Sequence, residues 1–280
     1  MKLHWSNSNK RWKDSITVSL AILTTLQAIA EVAGFFDIPV INDIPWWSKL
    51  LYILGIFIIL VLSSFIIKGI IAKRGLTLMV GDNKFIVKKA DVFDQKGLKV
   101  IPFNERFDTK VDDKIIAHTS LNGILIDKYF KDKNKLNSLK NTIKNSSEIE
   151  ELHSYNDGNF KKYPLGRIIQ YDDFLLLAFT HIDNENRAYL SHIDYEQCLL
   201  NMWKELDRVN AGLPIFIPLL GSGITRFRNT PHKSKFSLLH CLICTLKMSG
   251  IQLKEPITLC LTEDAMEEIN IYELKKYSKQ

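Results

Sequence analysis

Gly221-Ser222-Gly223 follows directly on an apolar run, Ile215-Phe216-Ile217-Pro218-Leu219-Leu220. Glycine accepts backbone dihedrals that other residues resist and leaves room for a ligand beside the main chain. A buried strand that breaks into two glycines therefore brings backbone N–H groups to a point. Such a nest at the carboxyl end of a strand binds phosphate oxygens. A Gly-Ser-Gly triplet also suits an ordinary turn; its place after a strand is what points to phosphate.

Other groups that carry chemistry elsewhere are less well placed. His181 and His192 fall toward the same end of the chain's predicted strands, yet spacing puts no Ser or Cys nucleophile beside either, so no triad is read. Cys241 and Cys244 form a CxxC inside Leu238–Lys247, which reads as a helix. A zinc site would need a second ligand pair at suitable spacing. The four cysteines, Cys198, Cys241, Cys244 and Cys260, all lie in apolar surroundings. They read as buried, reduced thiols of a cytosolic domain.

The elements that position the glycine turn are legible around it. The run 213–218 predicts a buried strand and 256–261 a second one, with a helix between them that opens at Thr230-Pro231 and stops at Gly250. Such a unit is a right-handed parallel crossover. Upstream, 77–80 and 84–89 predict a hairpin turning at Gly81-Asp82-Asn83, and 98–102 a short buried strand. Helices are expected over 120–130 and 135–144, and a polar loop over 145–162. A second hairpin is expected over 167–179, around Asp172-Asp173. Ser191 with Asp194 is a capping-box-like start to a helix reaching about Arg208, and a last helix is expected over 264–277. Strands alternating with helices give an α/β domain over 75–280.

The first 74 residues differ in kind. Leu50–Ile67 is an uncharged apolar run of 18 residues, the length that spans a bilayer's hydrocarbon, and it shows no polar face. Ile16–Phe36 is less pure. Thr17, Thr24, Gln27 and Glu31 share one helical face, and Ala30 with Gly34 is a small-xxx-small pair. A helical hairpin is expected, with spans at about 16–36 and 48–68 and a turn over Asp37–Trp47 broken by Pro39 and Pro45. Phe35, Phe36, Trp46 and Trp47 would lie at one interface. The polar face reads either as packing within the hairpin or as a seam between chains. Lys10, Arg11 and Lys13 before the first span, and Lys68, Lys73 and Arg74 after the second, place both termini in the cytoplasm by the positive-inside rule.

Charge follows the same division. Residues 1–75 hold eight Lys/Arg against four Asp/Glu, and the rest holds 29 against 27. The basic pI belongs to the membrane flanks. The near-neutral remainder lacks the basic surface that a nucleic-acid reader needs.

Pro218–Phe227, Pro-Leu-Leu-Gly-Ser-Gly-Ile-Thr-Arg-Phe, resembles the phosphate loop of macro domains. Lys89-Ala90-Asp91-Val92-Phe93 is similar to the macro strand end whose aspartate holds adenine, and Val100–Asn104 to the strand ending in the asparagine beside the distal ribose. The resemblance implies a macro-type three-layer α/β/α domain with a mixed sheet. Two spans before it, with the phrases at 104–113 and 177–183, resemble the membrane-anchored effectors of type II Thoeris antiphage defence. In that family a TIR-domain partner makes histidine-ADP-ribose from NAD and the macro domain receives it.

Carried over, the resemblance puts adenine on Asp91, diphosphate on the amides of Gly221, Ser222, Gly223 and Ile224, and the distal ribose on Asn104. Val92, Thr109, Leu220 and Thr225 flank these contacts. Where the family's hydrolases have a glycine-rich loop, this chain has Glu105-Arg106-Phe107-Asp108-Thr109. Glu105, Asp108 and Asp112 are therefore expected to read a group beyond the distal ribose, and a sensor is expected rather than an enzyme. The implied protein sits in the bacterial cell membrane, needs no cofactor or metal and no nucleic acid, and acts with membrane lipid as a homo-oligomer. An anchored ADP-ribosyl hydrolase is the alternative.

Overall fold

The structure, a computed structural model, describes residues 8–32, 45–148, 155–157, 160–183, 185–223, 225–228, 233–269 and 274. The chain divides into two units: 1–76 with 263–271, and 77–262 with 272–280.

In the first unit, α1 (Ser8–Val32) packs beside α2 (Trp46–Arg74). Trp12 stacks on Phe65 with ring centroids 4.6 Å apart, and Ser15, Ser19 and Val61 are buried. Among the described helices only α2 is long and apolar enough to cross a membrane, with a mean hydropathy of 2.9 over the most apolar 18 residues of Trp46–Ile70. Its Leu51, Ile53, Ile56, Ile58, Ile59 and Ile66 are exposed, which a core helix of a soluble protein would not allow.

α1 is less apolar, carrying Thr17, Thr24, Thr25, Gln27 and Glu31. Its threonine hydroxyls bond within the helix: Thr17 donates to Lys13 O at 3.0 Å and Thr25 to Ala21 O at 2.8 Å. Gln27 donates to Glu31 at 3.2 Å. A shallow groove on α1 is lined by Thr17, Val18, Ala21, Ile22, Thr25 and Leu26. Gly34, Phe35 and Phe36 of the expected first span, and Asp37 and Pro39 of the expected turn, lie outside the described residues.

The second unit is built on a mixed sheet. Its strands are β1 (Leu76–Val80), β2 (Asn83–Lys89), β3 (Leu98–Asn104), β6 (Ile168–Tyr171), β7 (Phe174–Ile182), β8 (Ala188–Leu190), β9 (Ile215–Pro218), β10 (Arg226–Phe227) and β11 (Ile257–Leu261). The spatial order is β1-β2-β11-β9-β3-β7-β8-β10, with β6 also on β7. β2, β11, β9, β3 and β7 run parallel to one another. β6 and β8 pair antiparallel with successive halves of the long β7. A separate small hairpin, β4 (Tyr155–Asp157) with β5 (Phe160–Lys162), occupies part of the expected loop.

Both faces are covered. Ile101 and Phe103 of β3 and Phe174, Leu176 and Ala178 of β7 pack in one cluster with α3 (Leu121–Tyr129) and α4 (Lys133–Glu148). The intervening residues, among them Val100, Leu175 and Phe179, are equally buried, as a period of two requires when both sides of a parallel sheet are covered. On that side lie α5 (His192–Val209) and α6 (Lys235–Ser249): Phe179 meets Tyr195 of α5 edge-on at 6.0 Å. Trp203 of α5 donates to Thr245 of α6 at 3.0 Å. The architecture is a three-layer α/β/α sandwich on a mixed sheet. Each fully buried Leu, Ile or Phe contributes roughly 1.5–3 kcal/mol, enough to fix strand positions at the site.

Several boundaries differ from expectation. β3 runs on to Asn104 rather than stopping at Pro102, and β7 runs to Ile182. α6 opens at Lys235 behind Ser234, whose hydroxyl accepts from Ser237 N; Thr230 and Pro231 lie outside the described residues. Its end at Gly250, with φ 67°, is as expected. The Ser191–Asp194 capping box forms in full. β8 and β10 were not foreseen; three and two residues are too few to show a period. The last helix, α7, spans Glu263–Glu268, and residues 275–280 lie outside the described set.

Candidate functional site

Parallel strands deliver their carboxyl ends to one edge of a sheet. Here that rule gathers Asp91 after β2, Gly221-Ser222-Gly223 after β9, and Asn104 and Glu105 at the end of β3. β2 and β9 are two strand steps apart and β9 and β3 one, or roughly 15 Å in all at the usual spacing. The three segments, far apart in the chain, form a row at the end of the sheet where ligands of α/β folds bind.

The glycine turn is held from inside. Ser222 N donates to Leu219 O at 3.2 Å and Ser222 Oγ to the same oxygen at 2.6 Å. Gly221 has φ 81°, the left-handed value that the third residue of a type II turn needs. A Cβ there would stand 3.1 Å from Phe227 Cζ and 3.4 Å from Leu238 Cδ2. Leu220 is buried, and its carbonyl accepts from Tyr195 Oη at 3.1 Å. Gly223 is exposed, and a Cβ built on it meets nothing within 4 Å. Thr225 is half-buried and Ile224 lies outside the described residues. The Ser222 amide is thus committed to the turn, which leaves its neighbours' amides as the donors to a ligand.

Asp91 is exposed and caps a short 3-10 turn, Val92–Asp94, its Oδ1 accepting from Phe93 N at 2.9 Å; Val92 is buried beneath. Asn104 is buried and organises the loop after β3. Its Oδ1 accepts from Arg106 N at 3.1 Å and Asp108 N at 3.2 Å, and its Nδ2 donates to Asp108 Oδ2 at 2.9 Å. Within this loop Phe107 takes φ 51° and stays buried, edge-on to Tyr163 at 5.0 Å. Thr109 is half-buried.

Asp112 closes its own turn, accepting from Lys114 N and Ile115 N at 3.0 and 2.8 Å. The Ile115 amide, with Lys110 beside it, holds the Asp112 carboxyl down at about 2. Of the acidic residues expected to face a ligand, Glu105 points elsewhere: it is buried between His181 and Lys162.

Residues 86–262, from within β2 to just past β11, match the family described as Thoeris protein ThsA, Macro domain. The chain is also 34% identical over 277 residues to "Thoeris protein ThsA" of Bacillus amyloliquefaciens (strain Y2). That alignment covers 96% of this chain and 90% of the relative. The chain belongs to the Thoeris ThsA family.

Around this row of loops stands a shell of charged and aromatic side chains whose pairings the sequence did not show. Glu105 Oε2 lies 2.6 Å from His181 Nδ1, and Oε1 3.2 Å from Lys162 Nζ. Burial alone would push the Glu105 carboxyl up; the His181 and Lys162 contacts outweigh it and hold it below the usual carboxylate range. His181 Nε2 faces Asp194 Oδ2 at 3.9 Å. Tyr189 stands between His181, at 5.4 Å, and the Arg228 guanidinium, which stacks 3.7 Å above its ring. Phe227 packs against His192 and Tyr195, and Lys233 Nζ lies 4.5 and 5.1 Å from the Tyr195 and Phe227 rings. Most of these contacts join residues distant in the chain, Glu105 with His181 and Lys162 foremost, so no local pattern announces them.

Burial pushes Cys241 up to about 11 and Cys260 up to about 12, so both stay protonated. Among the described residues no three His, Cys, Asp or Glu side chains converge as a metal site.

Proposed function

We propose that this chain is a membrane-anchored effector of bacterial antiphage defence whose macro domain binds an ADP-ribose-type signal nucleotide. The observation that carries this reading is the order of the loops along the sheet. Asp91 on β2, the glycine turn on β9 and Asn104 on β3 stand in the order adenine, diphosphate, distal ribose. A single extended nucleotide laid across the strand ends meets all three in sequence. Amides around Gly221 and Gly223 supply the donors for the diphosphate, and Thr225 and Leu220 flank them. Membership of the ThsA family supports the same assignment.

The acidic loop needs a revised role within this reading. Glu105 serves as a buried clamp, and Asp112 as a cap of its own turn, so Asp108 is the carboxylate of that set nearest to Asn104. The signal is histidine-ADP-ribose made by a TIR-domain partner, and its distal group is read beside Asp108. The chain acts as a sensor and not as a hydrolase. α2 anchors it in the bacterial cell membrane, α1 forms the first arm of a two-span hairpin, and both termini are cytoplasmic. Nucleotide binding favours one association of the cytosolic domains over another, which is how a ligand shifts an assembly. The hairpins then gather as a homo-oligomer that breaches the lipid.

Calorimetric titration of the detergent-solubilised full chain with ADP-ribose and with histidine-ADP-ribose tests this function. Saturable binding of both, tighter for the adduct, is expected. Turnover of either nucleotide would replace the sensor by an anchored hydrolase.

A further inference from the structure

The glycine turn is aimed by a residue that never touches the nucleotide. We propose that Tyr195 is a positioning residue that points the Gly221 amide at the diphosphate; this rests on reading the turn as the diphosphate site. Leu220 C=O and Gly221 N–H belong to one peptide unit, and in a trans peptide the two groups point in opposite directions. The Leu220 carbonyl is drawn inward to Tyr195 Oη at 3.1 Å, and Tyr195 itself is fully buried. The Gly221 N–H is thereby turned away from the interior, toward the open end of the sheet.

The device is rigid on every side. Tyr195 has no exposed surface, and its ring lies edge-on to Phe179 at 6.0 Å and to Phe227 at 5.5 Å. Phe227 in turn backs the α-carbon of Gly221, where a Cβ would come within 3.1 Å of its ring. The hydroxyl also reaches Leu238 O at 3.4 Å, which ties the turn to α6 as well as α5. Burial raises the Tyr195 hydroxyl well above its ordinary pKa, so it stays a donor at any physiological pH. Lys233 Nζ over the same ring sets a positive charge beside this module. A helix-packing tyrosine could have been phenylalanine; the hydroxyl's nearer acceptor is the carbonyl whose orientation sets the amide of the turn.

The test compares Tyr195→Phe with Thr245→Val in the detergent-solubilised full chain. Thr245→Val removes another buried hydrogen bond between α5 and α6, that from Trp203, without touching the turn. Both variants are expected to lower the unfolding temperature by a similar amount. Only Tyr195→Phe is expected to weaken ADP-ribose binding, by about fivefold, the worth of one neutral hydrogen bond. Carbonyl-13C leucine with 15N glycine labelling isolates the amides of Gly55, Gly166 and Gly221, the glycines that follow leucine. The Gly221 signal is expected to move in Tyr195→Phe and to stay in place in Thr245→Val. Equal affinity for Tyr195→Phe and the parent, or equal loss in both variants, overturns the proposal. A parent protein that binds no ADP-ribose removes the diphosphate reading; the positioning claim is then decided by the Gly221 signal, and an unmoved signal refutes it.

Discussion

Glu105 Oε2 and His181 Nδ1 stand 2.6 Å apart, joining the loop after β3 to the end of β7 through a carboxylate with 1% of its side chain exposed. Lys162 closes the other oxygen from the small β4–β5 hairpin. Glu105→Gln leaves His181 and Lys162 facing a neutral amide. It is expected to destabilise the domain by about 3 kcal/mol at neutral pH, the usual loss when one member of a buried pair is neutralised. Chemical denaturation of the two proteins at pH 7 measures the difference; no difference would show the clamp to be energetically idle.

The same pair sets an acid limb. The Glu105 carboxyl is held below its ordinary value of 4.5, so its stabilisation is present above that pH and is lost as pH falls through the lowered folded value. Unfolding temperature followed downward from pH 6 is expected to drop more steeply below about 4.5 in the parent than in Glu105→Gln, so that the two curves converge. Parallel curves would contradict it.

Asn104 and Asp108 make a second exchangeable contact, Nδ2 to Oδ2 at 2.9 Å. Asn104→Asp sets two carboxylates against each other and is expected to cost about 2 kcal/mol at pH 7, within the range for an uncompensated buried charge contact. The repulsion relaxes when one carboxyl takes a proton, so the gap to the parent narrows in acid. Adding Asp108→Asn restores an amide–carboxylate pair with the roles swapped. Recovery of most of the lost stability in the double variant is the result to look for, and a purely additive loss would refute the pairing.

How much of this was legible in advance depended on range. The strand 215–218 and the turn after it were readable because apolar residues run straight into two glycines. Ser191 with Asp194 announced its helix because capping is a contact across three residues. Asn104 and Asp91 were picked out by resemblance, while their hydrogen bonds were not readable, since each side chain also completes a local turn. Glu105 is expected from the sequence to read a ligand group, and its pairing is not legible there because its partners, His181 and Lys162, come from distant strands. Exposure of a charged residue is a fair default that only tertiary pairing overrules. β8 and β10 were missed for the same reason: their short segments are held by pairing to each other and to β7, not by any period of their own.

The two glycines of the turn are expected to separate under substitution. Gly221 has φ 81° and a ring 3.1 Å from any added Cβ, so Gly221→Ala is expected to destabilise by about 1–2 kcal/mol as well as impair binding. Gly223 has open space around it, so Gly223→Glu is expected to leave the unfolding temperature unchanged while placing a negative charge where a phosphate would sit. Differential scanning calorimetry of the two variants checks the contrast, and equal stability losses would contradict it.

α2 exposes apolar side chains from Leu50 to Leu62, and Ile58 lies near its middle. The full chain expressed in bacteria is expected to stay with the membrane pellet through alkaline carbonate. Ile58→Arg, which costs roughly 3 kcal/mol at the centre of a span, is expected to shift a measurable share to the supernatant. Quantitative release of the parent chain would remove the anchor.

The claim on which all else depends is that amides of the turn after β9 grasp a diphosphate. Isothermal titration of the full chain and of Gly223→Glu with ADP-ribose tests it most directly. The expected result is saturable one-to-one binding by the parent and none by the variant at the same concentrations, with both proteins equally folded. Equal heats for the two proteins would mean that the nucleotide, if it binds, binds elsewhere.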